Sequence, residues 1–167
     1  MEKVIKGRVW KYGDDVNTDV IFPGKYTYTV NDPEEMGKHA MEDLDPEFTD
    51  KVEPGDVIIA GKNFGCGSSR EQAAVCLKVK GVGAIIAPSF SRIYFRNGVN
   101  NGLPLITSSE VQNVFEHGDT IEIDFEAGEI RGDKGTFSFP PFNEFVFGIM
   151  EAGGLIPYTR KRMGIDA

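Results

Sequence analysis

The sequence is short of the residues that hold metals and disulfides. Its 167 residues include only two cysteines, Cys66 and Cys76, and two histidines, His39 and His117. The cysteines have no C-x-x-C spacing, which favours a reduced, cytoplasmic protein over a disulfide framework. A zinc site or an iron–sulfur cluster takes three or four such ligands. We therefore expect this chain to hold no metal by itself.

Positive charge and long apolar runs are also scarce. Lys and Arg number 18 against 26 Asp and Glu, for a net charge of −8, whereas a nucleic-acid partner requires a basic surface. No apolar run approaches the ~18 residues of a membrane span, and the first residues lack the apolar core of a secretory signal. We expect neither a nucleic-acid nor a membrane partner. Hydrophobic residues make up 40% of the chain, which suits one globular domain over residues 1–167.

The candidate functional side chains are concentrated in a glycine-rich stretch, residues 61–71 (GKNFGCGSSRE). An apolar run at residues 56–60 predicts a buried strand before it, and residues 72–79 have helical composition after it. Glycines in between allow turns that side chains forbid. Ser68 and Glu71 have the spacing of a capping box, which places Ser68 at the N-cap of the helix.

Two interpretations of this loop compete. The start of a helix favours anions, and Arg70 can hold a carboxylate through two parallel hydrogen bonds. Alternatively, Ser68 only caps its helix. The loop is not a phosphate loop, because Ser68 and Ser69 stand where Lys and Ser or Thr are required, and Arg70 replaces the third glycine of G-x-G-x-x-G. Local physics alone leaves a carboxylate site and a plain cap equally open.

The rest of the pattern predicts an α/β protein with a mixed sheet. Alternating strands and helices between residues 56 and 106 indicate parallel strands with right-handed crossovers. After residue 119 the apolar period becomes two, which predicts antiparallel strands, and an amphipathic helix over residues 142–151 closes the fold. Further strands are expected at residues 3–10, 20–22, 83–88 and 103–106, helices at 33–41 and 89–97, and a β-prone loop at 25–30.

Residues outside the glycine-rich stretch carry weaker signals. The Asp-, Asn- and Thr-rich residues 12–19 favour a turn, with a carboxylate that orients a reacting group as the alternative. His39 and His117 are expected at the surface. Arg92 and Arg96 share one face of a predicted helix and could reach an anion, although an arginine near a helix C-terminus is already favourable.

Three segments together resemble a known family. Residues 13–21 (GDDVNTDVI) resemble its DDxxTDxI opening, and residues 63–71 resemble its NFGCGSSRE loop. Residues 84–93 and 97–105 resemble the segment that follows. The chain is thus similar to the small subunits of 3-isopropylmalate dehydratase, which correspond to the swivelling β/β/α domain of aconitase. The small subunits of homoaconitase and of 2,3-dimethylmalate dehydratase are close relatives.

The resemblance implies an enzyme that moves a hydroxyl between adjacent carbons of isopropylmalate, by dehydration and rehydration, in leucine biosynthesis. A [4Fe-4S] cluster serves as Lewis acid, and a separate large subunit must carry it. By resemblance, Ser68 is the base that takes the proton from carbon, Ser69 hydrogen-bonds the dicarboxylate substrate, and Arg70 grips a carboxylate. Asp14 is implied as a supporting residue.

Two departures from the family pattern bear on the substrate. Gln72 stands where many relatives carry His. Homoaconitase-type relatives resemble YLRT at residues 26–29, with an arginine for an extra carboxylate, but this chain has Tyr28 there and no arginine between positions 8 and 70. A buried carboxylate without a cation is costly, so we expect a substrate with an apolar side chain beside Tyr28. Lys25 could supply a charge, which keeps the homoaconitase-like alternative open.

Interpretations without catalysis also stay open. The same loop could serve a carboxylate-binding or regulatory module. A purely structural subunit is the third possibility, and it predicts that Arg70→Ala leaves the kinetic constants unchanged.

Overall fold

The strands of the structure follow the apolar runs of the sequence. The computed structural model describes residues 2–165, and within that range seven strands form a sheet in the order β4-β3-β2-β1-β5-β6-β7. The strands are β1 (Val4–Lys11), β2 (Val57–Ile59), β3 (Ala84–Ala87), β4 (Leu105–Thr107), β5 (Thr120–Asp124), β6 (Glu129–Gly132) and β7 (Gly135–Ser138).

Short helices connect and cover these strands. They are α1 (Thr18–Ile21), α2 (Pro33–Lys38), α3 (Phe48–Lys51), α4 (Gln72–Val79), α5 (Arg92–Asn100), α6 (Glu144–Ala152) and α7 (Leu155–Arg162), with 3₁₀ turns at Gly24–Tyr26 and Val111–Asn113. In the part of the chain that the structure describes, no helix is long and apolar enough to cross a membrane.

The sheet has a parallel and an antiparallel half that share β1. Strands β1 to β4 pair in parallel, with Val9 opposite Val57. Strand β5 pairs with β1 in the antiparallel sense, with Ile5 opposite Ile123, and β6 and β7 continue that half as a meander. The parallel pairing expected between residues 56 and 106 and the antiparallel pairing after residue 119 are both confirmed.

Each face of the parallel half buries a different layer. On one face, Ile58 and Ile85 pack into a cluster with Leu77 of α4 and Tyr94 of α5. The opposite face contributes to a second cluster that also takes side chains from the antiparallel half: Val57, Ile59, Ile86, Ile121, Ile123 and Ile130. Because both halves share this second core, the two β layers pack on each other and the helices form the third layer. This is the three-layer β/β/α arrangement that the family resemblance implies.

Two sequence predictions near the N-terminus are wrong. Residues 18–21 form helix α1, not part of a strand at 20–22, because the Asn17 side chain accepts a hydrogen bond from the Val20 N–H at 3.1 Å and caps a helical turn. Residues 24–29 form a 3₁₀ turn and further turns rather than a β-prone loop. Helix α7 escaped the sequence analysis because it has no buried residue and hence no apolar period.

A buried carboxylate ties the start of β2 to β1. Asp56 is 3% exposed, and it accepts hydrogen bonds from the Trp10 indole at 3.0 Å, the Glu53 N–H at 2.9 Å and the Arg8 N–H at 3.0 Å. The Arg8 guanidinium adds an ion pair at 3.1 Å. Burial by itself raises the pKa of Asp56, but these donors outweigh it and hold the pKa below its ordinary value.

Replacing Asp56 with alanine is expected to lower the free energy of unfolding at pH 7 by about 3 kcal/mol, because buried N–H donors lose their acceptor. Since the folded-state pKa lies below the unfolded one, the stabilisation is complete above the unfolded value of about 3.9 and is lost as the pH falls through the folded value. Urea denaturation at pH 7 and pH 3 measures both effects. Asp43→Ala, at an exposed position, is the control, and an equal acid sensitivity of wild type and Asp56→Ala contradicts the account.

Candidate active site

The glycine-rich stretch, residues 61–71, leaves the carboxyl end of β2 and is fixed by its backbone; we call it the site loop. The Phe64 N–H donates to the Ser89 carbonyl at 3.1 Å, and the Gly65 N–H donates to the Val16 carbonyl at 2.7 Å. Gly65 has φ +81°, and a Cβ there would lie 2.2 Å from the Tyr94 ring. The loop therefore needs glycine at this point in order to lie against α5.

The site loop exposes its two serines beside the start of α4. Ser68 and Ser69 are exposed, and the Thr18 hydroxyl donates to the Ser68 carbonyl at 2.8 Å. The capping-box prediction is wrong, because the N-cap of α4 is Glu71 and no side chain caps it. Within residues 2–165, the hydroxyls of Ser68 and Ser69 have no hydrogen-bond partner. The backbone N–H groups of residues 68–72 have none within that range either. The start of α4 thus retains free donors beside two free hydroxyls.

Arg70 projects from the same loop into a polar setting that already holds a carboxylate. Its side chain is 11% exposed, and its Nη2 pairs with the carboxylate of Asp19, which is 66% exposed. Its Nη1 donates to the Thr27 hydroxyl at 2.9 Å. Two of the five N–H donors of the guanidinium are used, and its buried Nε has no acceptor among residues 2–165. Arg70 is therefore oriented by Asp19 and Thr27 and keeps donors for another carboxylate.

These side chains line one narrow surface depression. Its lining includes Ser68, Ser69 and Arg70, together with Thr18 and Asn97. The three residues singled out from the loop are therefore brought together. Sequence reasoning missed Asp19, although it lies in the acidic motif of residues 13–21 and a half-buried arginine requires a counter-charge.

The segment that carries Tyr28 is tied to the site by Gln72. The Gln72 side-chain amide donates to the carbonyl oxygens of Thr27 at 3.0 Å and Val30 at 3.2 Å. Between these two points Tyr28 is 92% exposed. Gln72 and Arg70 together hold the base of the turn, and Tyr28 stands at its tip, free to contact a ligand or a partner.

Replacing Gln72 with alanine is expected to loosen residues 27–30. The amides of Thr29 and Val30 donate to the Tyr26 carbonyl within this turn, and we expect their hydrogen exchange to accelerate about tenfold, the loss of roughly 1.4 kcal/mol for two hydrogen bonds. Exchange measured by NMR tests this. Gln72→His keeps one ring donor and should restore part of the protection, whereas equal exchange in wild type and Gln72→Ala contradicts the assignment.

Asp14 and Lys25 take structural positions beside the site. The Asp14 carboxylate accepts a hydrogen bond from the Lys62 N–H at 2.8 Å and so fixes the start of the site loop; its contribution to substrate binding stays a prediction. The Lys25 ammonium lies 5.2 Å from the centroid of the Tyr26 ring. This cation–π contact directs its charge toward the ring.

The cysteines differ in environment. Cys76 is fully buried, and burial raises the pKa of its thiol. Cys66 is half-buried in the site loop, and the two thiols are not bonded to each other. Within the described residues, no three His, Cys, Asp or Glu side chains are grouped to hold a metal. The donor set therefore does not fit an iron–sulfur cluster held by residues 2–165 alone.

The layered fold and the hydroxyl–guanidinium loop define a class. Residues 15–110 match the aconitase C-terminal domain, so the chain is a domain of the aconitase type.

The chain belongs more narrowly to the family of 3-isopropylmalate dehydratase small subunits. It is 48% identical to "3-isopropylmalate dehydratase small subunit 1" of Methanopyrus kandleri, over 96% of this chain and 95% of that protein. It is 47% identical to the "isopropylmalate/citramalate isomerase small subunit" of Methanocaldococcus jannaschii, over 98% of each. The crystal structure of 3-isopropylmalate dehydratase from M. jannaschii superposes with a TM-score of 0.89, at 44% identity and over 96% and 95% of the two chains.

Proposed function

We propose that this chain is the small subunit of a hydro-lyase that interconverts 2-isopropylmalate and 3-isopropylmalate in leucine biosynthesis, and that Ser68 is its proton-transfer residue. The observation that carries the proposal is the exposed Ser68 hydroxyl, which has no partner among residues 2–165 and lies in one depression with Arg70. A hydroxyl that only capped α4 would be occupied.

Ser68 takes the proton from one substrate carbon in dehydration and, after exchange with solvent, donates a proton to the other carbon in rehydration. A serine is a weak base unless its alkoxide is stabilised. The unpaired N–H groups at the start of α4 and the Arg70 charge supply that stabilisation, since both favour negative charge at this point. The hydroxyl of the substrate leaves from the neighbouring carbon, and the removed proton and hydroxyl together make the one water that is lost. Rehydration adds a proton and a hydroxyl back with the two carbons exchanged.

Arg70 and Ser69 hold the substrate for this transfer. The donors that Arg70 keeps can bind one carboxylate of a substituted malate, and charge-assisted hydrogen bonds of this kind are about twice as strong as neutral ones. Asp19 and Thr27 fix the plane of the guanidinium from the other side. Ser69 adds a neutral hydrogen bond from the same loop.

The chain acts with a large subunit that contributes the [4Fe-4S] cluster. Held by the large subunit, the cluster would supply a Lewis acid that assists loss of the hydroxyl. Residues 1–167 then work as one swivelling domain that closes over the partner, in the cytoplasm, where cysteines such as Cys66 stay reduced.

We expect the apolar substituent of the substrate to lie beside Tyr28. This exposed aromatic ring stands at the tip of the turn that Arg70 and Gln72 hold, and an aromatic ring suits an isopropyl group better than a third carboxylate. Homoaconitate, which needs a cation there, and 2,3-dimethylmalate, which has a smaller substituent, are the alternatives.

Steady-state kinetics of the complex reconstituted with its large subunit test the proposal. We expect no turnover by the isolated chain and the highest kcat/KM on isopropylmalate, against homoaconitate, 2,3-dimethylmalate and citramalate. Calorimetry of the isolated chain separates the non-catalytic alternative, because a carboxylate-binding module must bind a dicarboxylate tightly without a partner and a half-site binds it weakly. Tight binding by the isolated chain together with an inactive complex contradicts the proposal.

A further inference from the structure

The exposed face of α5 carries two arginines that the proposed reaction does not use. Arg92 and Arg96 lie one helical turn apart, with Ile93, 42% exposed, between them; we call these three residues the arginine patch. The opposite face of α5 is buried through Tyr94 and Gly98. The patch is therefore fixed on a packed helix and faces outward.

The arginine patch has no carboxylate partner within the described chain, unlike the arginines of the sheet and of the site loop. Arg8, Arg70 and Arg131 each form an ion pair with a carboxylate. Among residues 2–165, by contrast, neither Arg92 nor Arg96 has a carboxylate within 4.0 Å, in a chain with 26 acidic residues. Arg160 and Arg162 of α7 share this property, but they lie away from the proposed active site. Like charges at this spacing on a helix repel each other. The arrangement gains nothing within the chain and is suited to an external anion.

The patch is continuous with the proposed active site. The Asn63 N–H donates to the Ser89 hydroxyl at 2.8 Å, and the Ser91 N–H donates to the Phe64 carbonyl at 2.9 Å. These bonds fix the first turn of α5 to the site loop. Ile93 lines both the depression that holds Ser68 and the open depression around the arginines.

We propose that the arginine patch docks an acidic segment of the large subunit; this inference rests on the proposed function. A partner that brings its cluster to Ser68 must also cover the first turn of α5, because the two share lining residues. Arginines around an exposed aliphatic side chain match the composition of protein interfaces, in which Arg is enriched. A small dicarboxylate fits less well, because both arginine residues are exposed and the depression around them is open.

The test reverses the charge of the patch in the full chain and titrates it with the large subunit. We expect Arg92→Glu/Arg96→Glu to raise the dissociation constant of the complex about 100-fold, since like charges across an interface are strongly unfavourable. A high concentration of large subunit should restore most of the lost turnover. Arg92→Lys/Arg96→Lys keeps the charge and should bind within a few-fold of wild type. Arg160→Glu/Lys161→Glu makes the same change of charge on exposed positions of α7 and is the matched control; circular dichroism checks folding.

Each other outcome overturns the docking proposal. An unchanged dissociation constant with a raised KM makes the patch a site for the dicarboxylate substrate. An equal weakening of the complex by the α7 control makes the effect one of net charge. If neither the dissociation constant nor the KM changes, the patch is only a solvated helix face. If wild type itself forms no active complex, the proposed function fails; if wild type is active and the Glu variant binds equally well, only this inference fails.

Discussion

The Ser68→Ala variant of the reconstituted enzyme is expected to turn over isopropylmalate about 10³- to 10⁴-fold more slowly than wild type. Removing a positioned general base costs roughly 10²- to 10⁴-fold, and no other free hydroxyl of the site loop except that of Ser69 lies in the same depression. The KM should change little, because Arg70 still binds the carboxylate. Steady-state kinetics with saturating large subunit measure both quantities.

Two serine variants make this prediction specific. Ser69→Ala removes a substrate hydrogen bond and should lower kcat/KM by only about tenfold. Ser109→Ala, at an exposed position outside the site loop, should match wild type. Undiminished turnover by Ser68→Ala would contradict the mechanism. A larger loss in Ser69→Ala than in Ser68→Ala would assign the proton transfer to the hydroxyl of Ser69.

The second large effect is expected for Arg70→Lys, which should lower kcat/KM about 10²- to 10³-fold. Lysine keeps the charge but loses the planar fork that holds Asp19 and a substrate carboxylate at once. Because a carboxylate is bound both in the ground state and in the transition state, much of the loss should fall on KM. Kinetics over a wide range of isopropylmalate concentrations separate the two parameters.

The matched control for Arg70→Lys lies in the antiparallel half of the sheet. Arg131 pairs with the carboxylates of Glu122, Asp124 and Glu129, and Arg131→Lys should leave the kinetic constants unchanged. A kinetically silent Arg70→Lys, followed by a silent Arg70→Ala, would favour a purely structural subunit.

The sequence was most informative where a local pattern decides the structure. The apolar run of β2 and the helical residues of α4 fix their elements, and the glycines of the site loop mark the turn between them. The serines and the arginine were therefore located from their position in this order. The period-two residues of β5 likewise predicted the antiparallel half.

Long-range contacts determine where α4 begins, which a local sequence pattern could not predict. Ser68 has the spacing of a helix cap, but Thr18 holds its carbonyl and Asp19 holds Arg70, so the chain enters α4 three residues later than the capping box implies. The partners lie about fifty positions apart in the sequence. No local pattern contains that information.

Short segments with little burial were the other source of error. Helix α1 is decided by one capping hydrogen bond from Asn17, against the strand preference of its apolar residues. Helix α7 has no fully buried residue, so the periodicity that revealed α6 is missing there.

Proton exchange at the substrate carbon tests the central claim most directly. Isopropylmalate is incubated in D₂O with the reconstituted complex, and deuterium at the reacting carbon is followed by NMR while calorimetry reports bound substrate. Wild type is predicted to incorporate deuterium, and Ser68→Ala to bind isopropylmalate with similar affinity but to incorporate none on the same timescale. Incorporation by Ser68→Ala at the wild-type rate contradicts the account, because another group then moves the proton.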